Sequence, residues 1–334
     1  MTHLIDDLDE RIAPIETAIR IDPARRGLLD SSHDPLGRGE LAAAAASLAE
    51  SGRHALIVTG FFIPSAEPPA AETDGPPGAV ALALVLERLG IACTLLTDNF
   101  CAPAVRAAIS AGGMDVERLR VIDSADEFSH VFANLPQPPT HLIAIERLGR
   151  TYDPRTIEQG WGAEAAREFG EQVPSESWSR LLNMRGVPID EWTVDFSPIF
   201  ENPPNDCATI GVGDGGNEIG MGKFAWGDLL TCITKPSPRG ILTRVACRHA
   251  IIAGTSNWGA LGLAAAVALA RNSPESFGMI TPESQQAILE SMVGKGPAVD
   301  GVTRRAEPTV DGLLPESYLN PLRDIRRHLE LEKL

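Results

Sequence analysis

Short apolar runs recur through the first half of the chain, and each is followed by a stretch of helical character. Residues 55–59, 91–97, 119–122 and 141–145 are such runs. Between them lie 76–89, which opens on prolines and stops at Gly90, then 102–111, which stops at Gly112 and Gly113, and a shorter piece, 126–134. Proline at the start and glycine past the end are the usual punctuation of helices. A strand that is apolar at every position has two faces to bury, so each must be covered by helices, as in a parallel sheet. The expected architecture is therefore α/β: a mostly parallel sheet with helices on both faces, Rossmann-like and three-layered, with right-handed crossovers. The alternation resumes with 207–212, 229–234 and 249–253 as strands, then 258–271, 282–292 and 317–332 as helices. Ahead of the first strand, 4–21 carries Ile12, Ile15 and Ile19 at helical spacing, with Pro14 interrupting, and 39–50 is a helix closed by Gly52. The N-terminal helices, residues 1–52, are expected to pack on a catalytic domain of residues 53–334.

From about 150 to 205 the rhythm breaks. This segment holds Trp161, Trp178 and Trp192, several prolines and one helix-like piece, 163–169. So long a stretch is unlike bare loop in a compact domain, and it is expected to be an insertion, a cap over the sheet edge.

Charge narrows the partners. With 45 acidic and 29 basic residues the formal charge is −16, which opposes nucleic acid and anionic membranes, since both demand a positive surface. The expected partner is a small amino-acid or carboxylate molecule; the oligomeric state is not legible. The five cysteines, Cys93, Cys101, Cys207, Cys232 and Cys247, form no CxxC pair and no zinc spacing. The first ten residues are acidic rather than a basic segment leading into an apolar one, so the expected compartment is the cytoplasm.

In open parallel sheets, ligands lie outside the carboxyl ends of the strands. After the first strand comes Thr59-Gly60-Phe61 and a long turn ending Glu72-Thr73-Asp74-Gly75-Pro76-Pro77-Gly78. Asp74 immediately precedes a helix, where a plain N-cap is the competing explanation. After the fourth comes Glu146-Arg147, either a rim ion pair or an acid catalyst beside a carboxylate clamp. After the next comes Gly211-Val212-Gly213-Asp214-Gly215-Gly216-Asn217-Glu218-Ile219-Gly220-Met221-Gly222. This contains GxGxxG, the dinucleotide fingerprint, but Asp214 and Glu218 would repel a pyrophosphate, and Gly220 and Gly222 spoil the helix that should follow. No nucleotide cofactor is expected. After the last strand come Ser256 and Asn257, a helix cap or an anion site. Together these loops place Glu72, Asp74, Glu146, Asp214, Asn217, Glu218 and Asn257 on one sheet edge. Clustered carboxylates suit a hard cation such as Mg2+ or Mn2+. They also raise one another's pKa, which makes an acid catalyst available near neutrality.

These blocks, with Thr97-Asp98, Met184-Arg185-Gly186 and Ser256-Asn257-Trp258-Gly259, resemble the D-glutamate cyclase family, specifically its carboxy-terminal domain, over about residues 53–311. The stretch 151–179 departs from that pattern in being longer. The resemblance implies a lyase of amino-acid metabolism that converts D-glutamate to 5-oxo-D-proline and water, with a divalent metal assisting. It implies Asp74, Glu146, Asp214 and Glu218 as catalytic residues. Substrate contacts are expected from Thr59, Gly60, Gly75, Arg147, Arg185, Gly215, Gly216, Asn217, Ser256 and Asn257. In this scheme Arg147, Arg185 or a metal held by Asp74 and Asp214 neutralises the γ-carboxylate, and Glu146 or Glu218 moves the proton. Read from the residues alone, three alternatives stand: a nucleotide- or NAD-binding enzyme, a metal-dependent hydrolase and a non-catalytic metabolite-binding module.

Overall fold

The computed structural model describes residues 2–29, 36–204, 207–233 and 239–331. In chain order the elements are α1 (Thr2–Ile19), α2 (Glu40–Ser51), β1 (His54–Thr59), β2 (Phe62–Ile63), β3 (Ala70–Ala71), α3 (Pro76–Arg88), β4 (Ala92–Asp98) and α4 (Ala102–Ala111). There follow β5 (Leu119–Ile122), α5 (Phe128–Ala133), β6 (His141–Ile145), α6 (Pro154–Gln172), α7 (Ser197–Glu201), β7 (Ala208–Gly213), α8 (Trp226–Cys232), β8 (His249–Ile252), α9 (Ser256–Ala270), α10 (Pro282–Lys295) and α11 (Pro315–His328).

Six strands form one parallel sheet in the order β5-β4-β1-β6-β7-β8. Alternate residues of each strand enter different layers. Ala55 and Ile57 of β1 join the core under α1, α2, α3, α9 and α10, while Leu56 and Val58 join the opposite core with Phe128, Phe196 and Phe200. Two apolar faces explain why the strands are unbroken hydrophobic runs. At the centre of the first helical layer lies α9, whose residues are buried from Ser256 to Leu269. A helix apolar all round belongs in a core. No helix among the described residues is long and apolar enough to cross a membrane.

The chain runs outward from β1 through β4 to β5 and then returns to β6 on the other side of β1, so the strand order reverses between β1 and β6. Ligands in such sheets lie in the crevice opened at this reversal. The first crossover also contains the small β2–β3 hairpin, which accounts for its length.

Three sequence expectations change. The strand at 229–234 is instead the helix α8, because β7 pairs directly with β8 and Leu229 packs with Leu28, Met221 and Leu242 in a satellite core; Thr234 lies outside the described residues. Pro14 does not interrupt α1, whose Ile12, Ile15 and Ile19 are all buried. The piece at 163–169 belongs to the longer α6, kinked where Gly162 adopts φ 88°. The segment expected as a cap contributes Asn183, Met184 and Arg185 to the wall of a cavity at the carboxyl edge of the sheet.

Candidate active site

The loops after β1 and β8 are locked together by exchanged helix caps. Asp74 was expected to cap its own helix, α3, if it capped anything. It caps α9: its Oδ2 accepts from the Ser256 amide (2.9 Å) and its Oδ1 from the Asn257 amide (2.8 Å). Asn257 returns the contact, its Oδ1 accepting from the amides of Gly75 (3.0 Å) and Gly78 (2.8 Å) at the start of α3. The Asn257 Nδ2 donates to Thr73 O. Glycine at 78 permits this, since a Cβ there would lie 2.8 Å from that of Ala260. Each side chain therefore satisfies amides that its neighbour's helix leaves open.

Glu146 follows β6 in the left-handed region, φ 48°, a conformation that costs a non-glycine residue about 1 kcal/mol or more. Its Oε2 accepts from the Ser256 hydroxyl at 2.6 Å. Gly75, at φ 100°, makes room for it: a Cβ there would fall 2.9 Å from that of Glu146 and 2.8 Å from Thr59 Oγ1. Asp214 follows β7 and is ion-paired with Arg26, which also binds Asp311 at 3.1 Å. Glu218 turns back on its own loop, each carboxylate oxygen accepting from one amide, Gly215 or Gly216, at 2.9 Å.

One oxygen from each of Asp74, Glu146 and Asp214 lies within 4.8 Å of the others. They meet beside a cavity of about 560 Å³ whose wall includes Arg26, Glu72, Glu146, Arg185, Asp214 and Asp311. Burial pushes the Asp74 carboxyl up to about 7, helped by Asp311 and opposed by the Asn257 and Ser256 amides. Glu146 is raised well above the carboxylate range by burial and then by Asp214 and Glu218. Burial also raises Asp214 and Glu72 strongly, against the pull of Arg26, and raises Glu218. Such a set offers proton donors at neutral pH, and its hard oxygens are of the kind that hold Mg2+ or Mn2+. Glu72 Oε1 is buried with no hydrogen-bond partner among the described residues.

The structure separates the two expected arginine clamps. Arg147 is 1% exposed and turned away from the cavity. It is ion-paired with Asp98, donates to Gly60 O, Thr193 Oγ1 and Val194 O, and stacks 4.3 Å over Phe196. That is a structural tie between β4, β6 and the segment before α7, and it leaves no guanidinium for a substrate. Arg185 does reach the cavity, at its exposed rim. Thr59 is buried beside Gly75, and Gly60 stands at φ 107° against Cys101 and Thr97. Gly215 and Gly216 spend their amides on Glu218, and Asn217 donates to Leu182 O. After Gly216 the chain forms isolated bridges to Leu148 and Ala246 rather than the helix a dinucleotide site requires.

Sequence reasoning missed Arg26 and Asp311. Neither follows a strand, so strand ends alone do not point to them. Their only signals were turn sequences, Pro23-Ala24-Arg25-Arg26-Gly27 and Asp311-Gly312.

The profile of a family described as D-glutamate cyclase-like, C-terminal, matches residues 15–157 and 171–326. The gap between the two blocks falls within 151–179, the stretch expected to be longer. The human protein named D-glutamate cyclase, mitochondrial, is 32% identical over 279 residues, which cover 77% of this chain and 39% of the human protein. The chain thus spans well under half the length of that relative.

Proposed function

This chain belongs to the D-glutamate cyclase-like family, and from that premise we propose that it converts D-glutamate to 5-oxo-D-proline and water at the Asp74–Glu146–Asp214 cluster. The observation that carries the reading is the convergence of those three buried carboxylates from three separate loops beside one cavity.

In the reaction the α-nitrogen bonds to the γ-carboxyl carbon, and two of its protons end on the departing oxygen. A group that takes and returns protons near neutral pH suits this step. Glu146 has the needed raised pKa, and the Ser256 hydroxyl fixes one of its oxygens and leaves the other for the substrate. Asp74 and the exchanged caps hold the loops in register, so amine and carboxyl meet in a folded conformer. Arg185, at the rim, binds a substrate carboxylate. Glu218 acts by closing the glycine turn that presents Asp214.

Asp74 and Asp214 would hold Mg2+ or Mn2+, which would supply Lewis-acid neutralisation of the carboxylate under attack and leave Glu146 free to move the proton. Their oxygen-only chemistry fits such an ion, and Glu72 offers a further buried oxygen. No nucleotide enters this reading.

Proton NMR of D- and L-glutamate incubated with purified protein, with and without Mg2+ or Mn2+, tests it. Formation of 5-oxoproline from the D-isomer is the expected result; unchanged glutamate after long incubation with either metal rejects it. An Asp214→Asn protein with full turnover would remove Asp214 from the reaction.

A further inference from the structure

The charges around the cavity are sorted in an unexpected way. Its inner wall carries Glu72, Glu146, Asp214 and Asp311, and the arginine that reaches them, Arg26, is ion-paired with two of the four. Arg147 is committed to Asp98. Outside lies a second groove of about 300 Å³, sharing Ser65, Asn183 and Arg185 with the first. It contains Arg304 and is walled by Val187 and Trp192, the latter stacked on Phe62 at 5.6 Å. Neither Arg185 nor Arg304 has a carboxylate partner among the described residues. Arg304 is presented at φ 60° from a loop whose amides at Val302 and Thr303 are held by the buried Asp300.

The two arginines of the outer groove thus lie away from the Glu72–Glu146–Asp214 wall, where Arg26 is already paired. The cavity alone is of a size that holds a drug-sized molecule, far more than one amino acid. A neutral amide at the γ-position would enter the acidic inner wall without the charge that a carboxylate carries there.

We propose that the preferred substrates are γ-D-glutamyl amides whose leaving amine bears a carboxylate, that is, γ-D-glutamyl amino acids, with the departing part seated in the Arg185–Arg304 groove. This rests on the cyclisation reading above and changes its leaving group. The α-nitrogen forms the bond to the γ-carbonyl carbon and the amide carbon–nitrogen bond breaks. Of the ammonium's three protons, one stays on the lactam nitrogen and two pass to the departing nitrogen, which leaves as an ammonium. The products are 5-oxo-D-proline and the amino acid, with no co-reactant.

Initial rates of 5-oxoproline formation from D-glutamate, γ-D-glutamylglycine and γ-D-glutamyl methylamide decide the matter. The expected kcat/KM for the dipeptide is about tenfold above both others, the worth of one charged hydrogen bond. The Arg304→Gln protein is expected to bring the dipeptide-to-methylamide ratio down to about one by raising KM for the dipeptide. Turnover of D-glutamate with no gain for the dipeptide overturns this inference and leaves the cyclase reading standing. Turnover of the dipeptide without D-glutamate supports the inference and removes free glutamate as substrate, and turnover of none of the three overturns both. A preference that survives Arg304→Gln overturns the groove.

Discussion

The two ends of the sheet bury opposite kinds of titratable group. At the carboxyl end stand Asp74, Glu146 and Asp214; at the amino end His54, His141 and His249 begin β1, β6 and β8. Burial drives both sets toward neutrality: the acids are raised, and the histidines are lowered, His141 down to about 4 by burial and then by His249. What differs is the company. His54 is closed off by Gln137 O at 2.8 Å and Thr94 Oγ1 at 2.9 Å, and His141 by Ser47 Oγ and Thr140 Oγ1. The acids instead converge on one another beside a cavity, with Arg26 to offset them. A shifted pKa alone therefore does not mark a site; shifted groups of one sign, converging on open space, do.

The largest expected contrast is catalytic. Glu146→Gln should lower cyclase turnover by about 10²–10⁴-fold, the usual share of general acid–base catalysis, without lowering the melting temperature. His141→Gln at the other end should leave turnover within about twofold, as NMR rates would show. Equal losses from both would erase the distinction between the two ends.

Next is Arg26→Ala. Removing one partner of a buried ion pair costs about 3–5 kcal/mol, and here several carboxylates lose their compensation at once. The loss, read from urea midpoints, should be greater at pH 8 than at pH 6, since Asp74, raised to about 7 and pulled down by Arg26, needs no cation once protonated. An unchanged midpoint at pH 8 would show that the acids are held neutral by burial alone.

A smaller effect, about 1–3 kcal/mol, is expected for Gly75→Ala, because that Cβ needs both a left-handed φ and the space of Thr59 and Glu146. Gly90→Ala, at φ 79° but with open space around it, is the control: it keeps the strain and loses the clash. Equal penalties would mean that the close approach to Glu146 contributes nothing.

Most strands and the convergence of the strand-end loops were legible because both follow from local pattern: an apolar run buried on two faces, then a turn rich in glycine and acid. What stayed hidden was pairing at long range. Thr97-Asp98 and Arg147 both stand at strand ends, yet nothing in the chain says that Asp98 takes the guanidinium away from the cavity. Asp74 sits one residue before a proline-opened helix, so its capping of α9, some 180 residues on, could not be read. Arg26 reaches the site from the segment between α1 and α2. The strand expected at 229–234 failed for a local reason, since a short apolar run fits a helix as well as a strand.

The smallest effect is the most direct test of the two-ended comparison, because the ends should give opposite pH slopes over one window. Asp74 has an ordinary value of 3.8 and about 7 in the fold. Between those limits the folded chain holds a proton that the unfolded chain has lost, so stability falls as pH rises. His141 goes from 6.5 to about 4. Between those limits the unfolded chain holds the extra proton, so stability rises with pH. Each contributes at most about 1.4 kcal/mol per pH unit, and from about pH 4.5 to 6 the two oppose each other. Urea midpoints across that range should therefore tilt one way in Asp74→Asn, toward greater stability at higher pH, and the other way in His141→Gln. If both substitutions tilt the profile in the same direction, burial is not what shifts the two groups, and the contrast between the ends loses its physical basis.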